Sequence, residues 1–254
     1  MRILSTSIIF GMLICCSTGC TYLYAEWAFR QAERAQSAGD YEEMLRLSIP
    51  LAQQPGLHQP NFVAFAGRAY RGLGQYDNAR RLALQGLRLD QSPEQRSELF
   101  DQLAEIYAVM DSTDQSLAYA RMSVDIDPND VIKWNNCGHA HMQAAQYEEA
   151  VAIFTTASTR FPPHPYILNN RAEAYIHLGQ LDAADADLRA SHALDPQNPY
   201  LYKNKALYHQ RLEEPTLACR YARRAATLFD GTLGYAYDKS ALQALYEQCD
   251  LPVD

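Results

Sequence analysis

Lysine is nearly absent from this 254-residue chain: Lys133, Lys203, Lys205 and Lys239 are the whole set, and the formal net charge is -8. Without a basic stripe, the chain is not expected to bind nucleic acid. Glycine and proline, twelve of each, are too few and too scattered to make a flexible linker, so one elongated domain is the economical reading. There is no Gly-rich phosphate loop, paired CxxC, HExxH or GxSxG. No catalytic residue, cofactor site, metal site or small-molecule substrate is therefore expected, and an enzyme is disfavoured. His139 and His141 stand two apart on an expected helix, pointing to different faces, so they are not read as joint metal ligands. A long apolar run is missing too: the stretch from Ile3 to Ile14 is about a dozen residues, too short for a bilayer core of about 30 Å.

What is present begins with that stretch. Arg2, the apolar run and the small residues Ser17, Thr18 and Gly19 have the layout of an export signal over 1–19. The sequence Ser-Thr-Gly-Cys resembles a bacterial lipoprotein signal, although Ser17 stands where that pattern has Leu, Val or Ile. The resemblance implies a lipid on Cys20 and a short lipid-anchored tether over 20–24. Cys16 ends a competing box, and ordinary cleavage or a retained anchor is the alternative. Thr21, in place of Asp, implies the outer membrane, facing the periplasm; a periplasmic or inner-membrane-anchored location is the other reading.

The rest of the chain is periodic at 34 residues. In the unit starting at Val131, Trp134, Gly138, Tyr147, Ala150, Phe154, Ala157 and Pro162 mark fixed positions. Their equivalents one unit later are Leu168, Ala172, Leu181, Ala184, Leu188, Ser191 and Pro196, and one unit earlier Phe100, Ala104, Thr113, Ser116, Ala120, Ser123 and Pro128. Each unit holds two apolar-periodic segments of helical length around a turn such as Leu-Gly-Gln-Tyr-Asp at 73–77, where Gly74 and Gly179 are expected to take positive φ. Asp-Pro pairs at 127–128 and 195–196 stop the second helix.

This register resembles the tetratricopeptide repeat (TPR) along nearly the whole chain. The resemblance implies an all-α, right-handed superhelical solenoid of about six TPR helix pairs, over 25–58, 60–93, 97–130, 131–164, 165–198 and 199–232, with a capping helix and tail over 233–254. It also implies protein partners held in a groove lined by the first helices. The residues expected there are Asn135, Asn136, His139, Tyr166, Asn169, Asn170, Glu173, Tyr200, Lys203 and Asn204. Asparagine can pair with a peptide backbone through both donor and acceptor; its recurrence at position 6 also fits a purely structural role between neighbouring helices. A chaperone-type carboxylate clamp is missing from Asp101, Glu105, Asn136, Tyr166 and Asn170, so capture of an acidic tail is not expected. Arg68, Arg71, Glu98, Asp101 and Glu105 read as a solvated rim. Cys137 reads as a small buried hydrophobe, and Cys219 with Cys249 as a possible disulfide stapling the cap.

By its length, leader and repeat number the chain resembles pilotin-type lipoproteins of pilus assembly and secretion systems. A non-enzymatic envelope scaffold is the expected function. An adaptor for peptidoglycan hydrolases or proteases, a scaffold in polysaccharide export and a membrane-anchored co-chaperone are the alternatives.

Overall fold

The computed structural model describes residues 18–54, 59–89, 92–230 and 249; the side chains of 18–21 and 230 are outside that description. The described residues are helices and turns without a strand. They fall into two compact units, Met1–Gln91 and Ser92–Asp254.

Unit 1 holds two helix pairs: α1 (Thr18–Ala38) with α2 (Tyr41–Ala52), and α3 (Gln59–Gly72) with α4 (Tyr76–Gly86). One face of α1 is a stripe of alanines, Ala25, Ala28, Ala32 and Ala35, all buried at helical spacing. Their small size lets α2 and α3 come close, and aromatic rings fill the remaining space. Phe29 meets Phe62 edge-on at 6.5 Å and Phe65 at 5.3 Å, with Met44 and Leu47 buried beside them.

Unit 2 holds four pairs: α5 (Pro93–Val109) and α6 (Thr113–Ile126), α7 (Val131–Gln143) and α8 (Tyr147–Arg160), α9 (Pro165–His177) and α10 (Leu181–Leu194), α11 (Pro199–Arg211) and α12 (Pro215–Asp230). Three of the four first helices start at a side-chain cap. Ser92 and Gln95 form a capping box at α5, Asp130 accepts from Ile132 N–H at α7, and Asn198 from Tyr200 N–H at α11. Within each pair, small residues meet large ones at the positions read from the sequence: Ala150, Phe154 and Ala157 are fully buried, as are Ala172 and Ala184. A methyl added at Gly138 would run into the ring of Phe154, which is why only glycine fits that position of α7.

The turn within every pair has one residue in the left-handed region: Gly39, Gly74, Asp111, Ala145, Gly179 and Glu213, at φ between 53° and 72°. The next residue donates its N–H back into the closing turn, as from Gln75 to Tyr70 O (2.8 Å) and from Gln146 to His141 O (2.9 Å).

Two boundaries differ from expectation. Helix α1 starts at Thr18, so residues 20–24 are helical and not a free tether. Helix α5 starts at Pro93 and not at 97, because the Ser92–Gln95 box opens the helix there. The expected signal segment up to residue 17 and the capping helix after 233, apart from Cys249, lie outside the described residues.

Candidate protein-binding face

The first helices of unit 2 (α5, α7, α9 and α11) carry the candidate site. Their asparagines at position 6 form a regular set of bonds to the repeat before. Asn136 Nδ2 donates to Asp101 Oδ2 (3.2 Å), Asn170 Nδ2 to Asn135 Oδ1 (2.9 Å) and Asn204 Nδ2 to the Asn169 carbonyl (3.0 Å). Each donor lies 35 residues after its acceptor, one repeat and one position on. The ladder joins neighbouring first helices, and along α11 it is out of a partner's reach: Asn204 is fully buried and Asn169 nearly so.

Charged pairs reinforce it. Lys133 Nζ lies 2.7 Å from Asp101 Oδ2 and 3.6 Å from Glu98, and Lys203 Nζ lies 2.7 Å from Glu173 Oε1. Both lysines and Asp101 are buried. Burial pushes the Asp101 carboxyl up more than Lys133 brings it down. Burial acts the same way on Glu173, but Lys203 and then His139 and His177 outweigh it and leave the carboxyl lowered. Arg171 makes a two-pronged bond to Asp187 within its own repeat, at 2.7 and 2.8 Å. Buried in this way, such pairs fix the relative placement of helices more than they add stability.

The ten residues expected to line the groove therefore divide. Asn169, Lys203 and Asn204 are interior residues of the repeat interface, a correction with a plain cause: in these helices that side of the first helix packs on its neighbour. Glu173 is engaged by Lys203, and Tyr200 is half-buried with its ring edge-on to Phe229 at 5.0 Å. Asn135, Asn136 and Asn170 are half-buried, while His139 and Tyr166 are exposed. Ile132, equivalent to Tyr166 one repeat earlier, is exposed as well (39% against 38%).

Of the charges read as a solvated rim, Asp101 is buried in the pair with Lys133, whereas Glu105 is exposed. In unit 1, Arg68 lies over the Phe65 ring at 5.0 Å. The histidine pair is divided: His139 is exposed, and His141 Nδ1 is 2.8 Å from Gln146 Oε1 at the turn. No group of three metal-ligating side chains occurs among the described residues.

Cys137 is a buried free thiol, and burial pushes its pKa up to about 11, which keeps it protonated and inert. Cys219 on α12 and Cys249 are joined in a disulfide with a Cα–Cα distance of 5.4 Å. Cys249 packs on Ala206, Ala218 and Ala222, and its carbonyl accepts from Arg223 (3.1 Å).

Comparison with known proteins agrees with this geometry. The tetratricopeptide-repeat family model matches residues 141–207. No curated protein matches in sequence. Among solved structures, the chain resembles PilW, a widely conserved type IV pilus biogenesis factor (20% identity, 77% of this chain and 88% of that one, TM-score 0.59). It also resembles a thermophilic TPR protein of Thermus thermophilus (18% identity, 76% and 100%, TM-score 0.62). A third likeness is to a chain of the APC/C hetero-tetramer Cut9–Hcn1 (16% identity, 86% and 41%, TM-score 0.63). At these identities the likeness is one of fold. With the 34-residue register, the paired helices and the family match over residues 141–207 in agreement, the described residues have the tetratricopeptide-repeat fold.

Proposed function

We propose that this chain is a non-enzymatic scaffold of the bacterial envelope, anchored through a lipid on Cys20, which holds a segment of a partner protein on the face formed by α7 and α9. The observation that carries this reading is the pair of exposed apolar side chains at equivalent positions of α7 and α9, Ile132 and Tyr166, with His139 exposed about two turns after Ile132 and the Asn170–Asn135 bond joining the two helices. Packed helices stand about 8–10 Å apart. An extended segment advancing about 3.3 Å per residue meets equivalent positions about every third residue. Apolar anchors flanked by asparagine suit such a ligand, with the side chains giving apolar contact and the amides meeting its backbone.

The envelope reading is supported by the leader-like first nineteen residues and by the Cys219–Cys249 disulfide, which suits an oxidising compartment. The likeness to a type IV pilus biogenesis factor makes pilus or secretion-complex assembly the process we propose. A photocrosslinking amino acid at His139 in intact cells should trap the partner. Ile132→Asp with Tyr166→Ala should lower the yield roughly tenfold, as expected where interface anchors cost about 1–2 kcal/mol or more, and leave the thermal melt unchanged. An undiminished yield overturns the assignment of this face. Labelling with a palmitate analogue should disappear in Cys20→Ala.

A further inference from the structure

The first helix has an outer stripe that no part of the reading above uses. Its inner face is the buried alanine series 25, 28, 32 and 35. On the opposite side Leu23 (64% exposed), Trp27 (49% exposed), Arg30 and Arg34 are all exposed, with Tyr24 half-buried and its ring stacked on Trp27 at 5.7 Å. At 3.6 residues per turn, positions 20, 23, 24, 27, 30 and 34 fall along one side of a helix. The stripe thus begins at the level of Cys20, continues as a leucine and an aromatic pair, and ends in two arginines. Glu26 and Glu33 lie roughly a quarter turn or more away from its centre.

This order matches a membrane interface from the acyl boundary outward. Leucine and tryptophan favour the border between hydrocarbon and headgroups, and arginine pairs with lipid phosphate. At 1.5 Å per residue, Trp27 is only about 10 Å along the helix from Cys20. We infer that the outer stripe of α1 is a membrane-contact strip: Leu23 and Trp27 seat in the interface of an anionic phospholipid surface, and Arg30 and Arg34 engage its phosphates. The inference rests on the proposed attachment of the chain to a membrane at Cys20. The strip turns that attachment from a loose leash into a fixed docking, with α1 inclined to the bilayer, its Cys20 end deepest and its arginines at the level of the phosphates. The acidic net charge of the chain makes the two arginines decisive, because the remaining surface is repelled by an anionic bilayer.

The two tryptophans, Trp27 and Trp134, make the test direct. The full chain, carrying Trp134→Phe and produced with its own leader, is purified from membranes. It is then reconstituted in vesicles of phosphatidylethanolamine and phosphatidylglycerol with or without brominated phosphatidylcholine. We expect the bromolipid to quench Trp27 strongly, and Arg30→Glu with Arg34→Glu to cut that quenching about twofold or more by opposing the anionic surface. Trp27 emission that ignores the bromolipid overturns the strip, as does quenching indifferent to the arginine changes. The mass of the N-terminal peptide from the same sample reports the lipid separately. A lipidated chain with unquenched Trp27 sinks the strip alone, and an unlipidated chain with quenched Trp27 sinks the lipid anchor alone.

Discussion

The two units are built from the same helix pair but hold their pairs together by different means. Among the described residues, unit 1 buries a single polar side chain, Ser48, and fills its core with Phe29, Phe62, Phe65, Met44 and Leu47. Unit 2 buries twelve polar or charged side chains, including Asp101, Lys133, Asp187, Lys203 and Asn204. Apolar contacts supply free energy in proportion to area and hardly distinguish one placement from another. Hydrogen-bonded polar groups add little net stability, yet they penalise every arrangement that leaves one of them unmatched. Unit 1 is therefore built for cohesion and unit 2 for register. The turns follow the same division: both turns within pairs of unit 1 have glycine in the left-handed position, whereas in unit 2 only Gly179 does, beside Asp111, Ala145 and Glu213.

The largest effect that could break this contrast is in unit 1. Phe62→Ala should cost about 3–5 kcal/mol, since a fully buried ring leaves a void among other rings. Trp27 is in unit 1 and Trp134 in unit 2, so urea melts of the single-tryptophan variants can assign the loss to the Trp27 transition. A loss below about 1 kcal/mol would mean that the aromatic cluster is not what binds the unit. In unit 2, Asp101→Ala should cost about 3 kcal/mol in the Trp134 transition. It strands buried Lys133 with Glu98, 3.6 Å away, and the more weakly acting Asp130 to balance it. The double change Asp101→Leu, Lys133→Met should recover most of that loss, which separates a penalty for an unmatched charge from a real gain by the pair. If the double variant stays as weak as the single one, the pair contributes cohesion after all.

The smallest effect concerns the turns. Ala145→Gly and Glu213→Gly should each stabilise unit 2 by roughly 0.5–1 kcal/mol, because the left-handed region is costly for residues with a Cβ. The reverse changes, Gly39→Ala and Gly74→Ala, should cost unit 1 about 1–2 kcal/mol. An added Cβ meets nothing within 4 Å at either glycine, so that cost is purely one of backbone conformation.

Much of this architecture is legible in the amino acids, because a 34-residue period leaves its mark wherever a small residue is required. Ala150, Ala157, Ala172 and Ala184 are buried where the register places them, and Gly74 and Gly179 take the positive φ expected of them. The turns at Asp111, Ala145 and Glu213 could not be read, since the local hydrogen bonds impose the left-handed backbone on residues with no preference for it. The face was harder still. One residue along a helix is a rotation of about 100°, which decides whether an asparagine meets a partner or the neighbouring helix. Asn204 and Asn169 turned inward, whereas Tyr166 and His139 did not. The burial of Lys133 is not legible in the amino acids, because lysine ordinarily belongs to solvent. In a chain with four lysines, one at a packing position shortly after Asp130 was the available hint. The start of α1 at Thr18 was hidden by its overlap with a leader-like segment, which draws attention to processing and away from helix propensity.

The asparagine ladder has a consequence for how such a chain can change its length. Donor and acceptor are always one repeat and one position apart, so each repeat carries an acceptor for its successor and a donor for its predecessor. Duplicating a 34-residue block from this stretch would recreate both halves of the asparagine bond at the new junction, whereas the charged pairs Lys133–Asp101 and Lys203–Glu173 belong to one junction each and would be left unmatched. A single inserted residue within one of these first helices would not recreate the bond. The ladder therefore permits a change of length only in whole repeats, and the buried charges add a second condition, that each new junction bring its own matched pair.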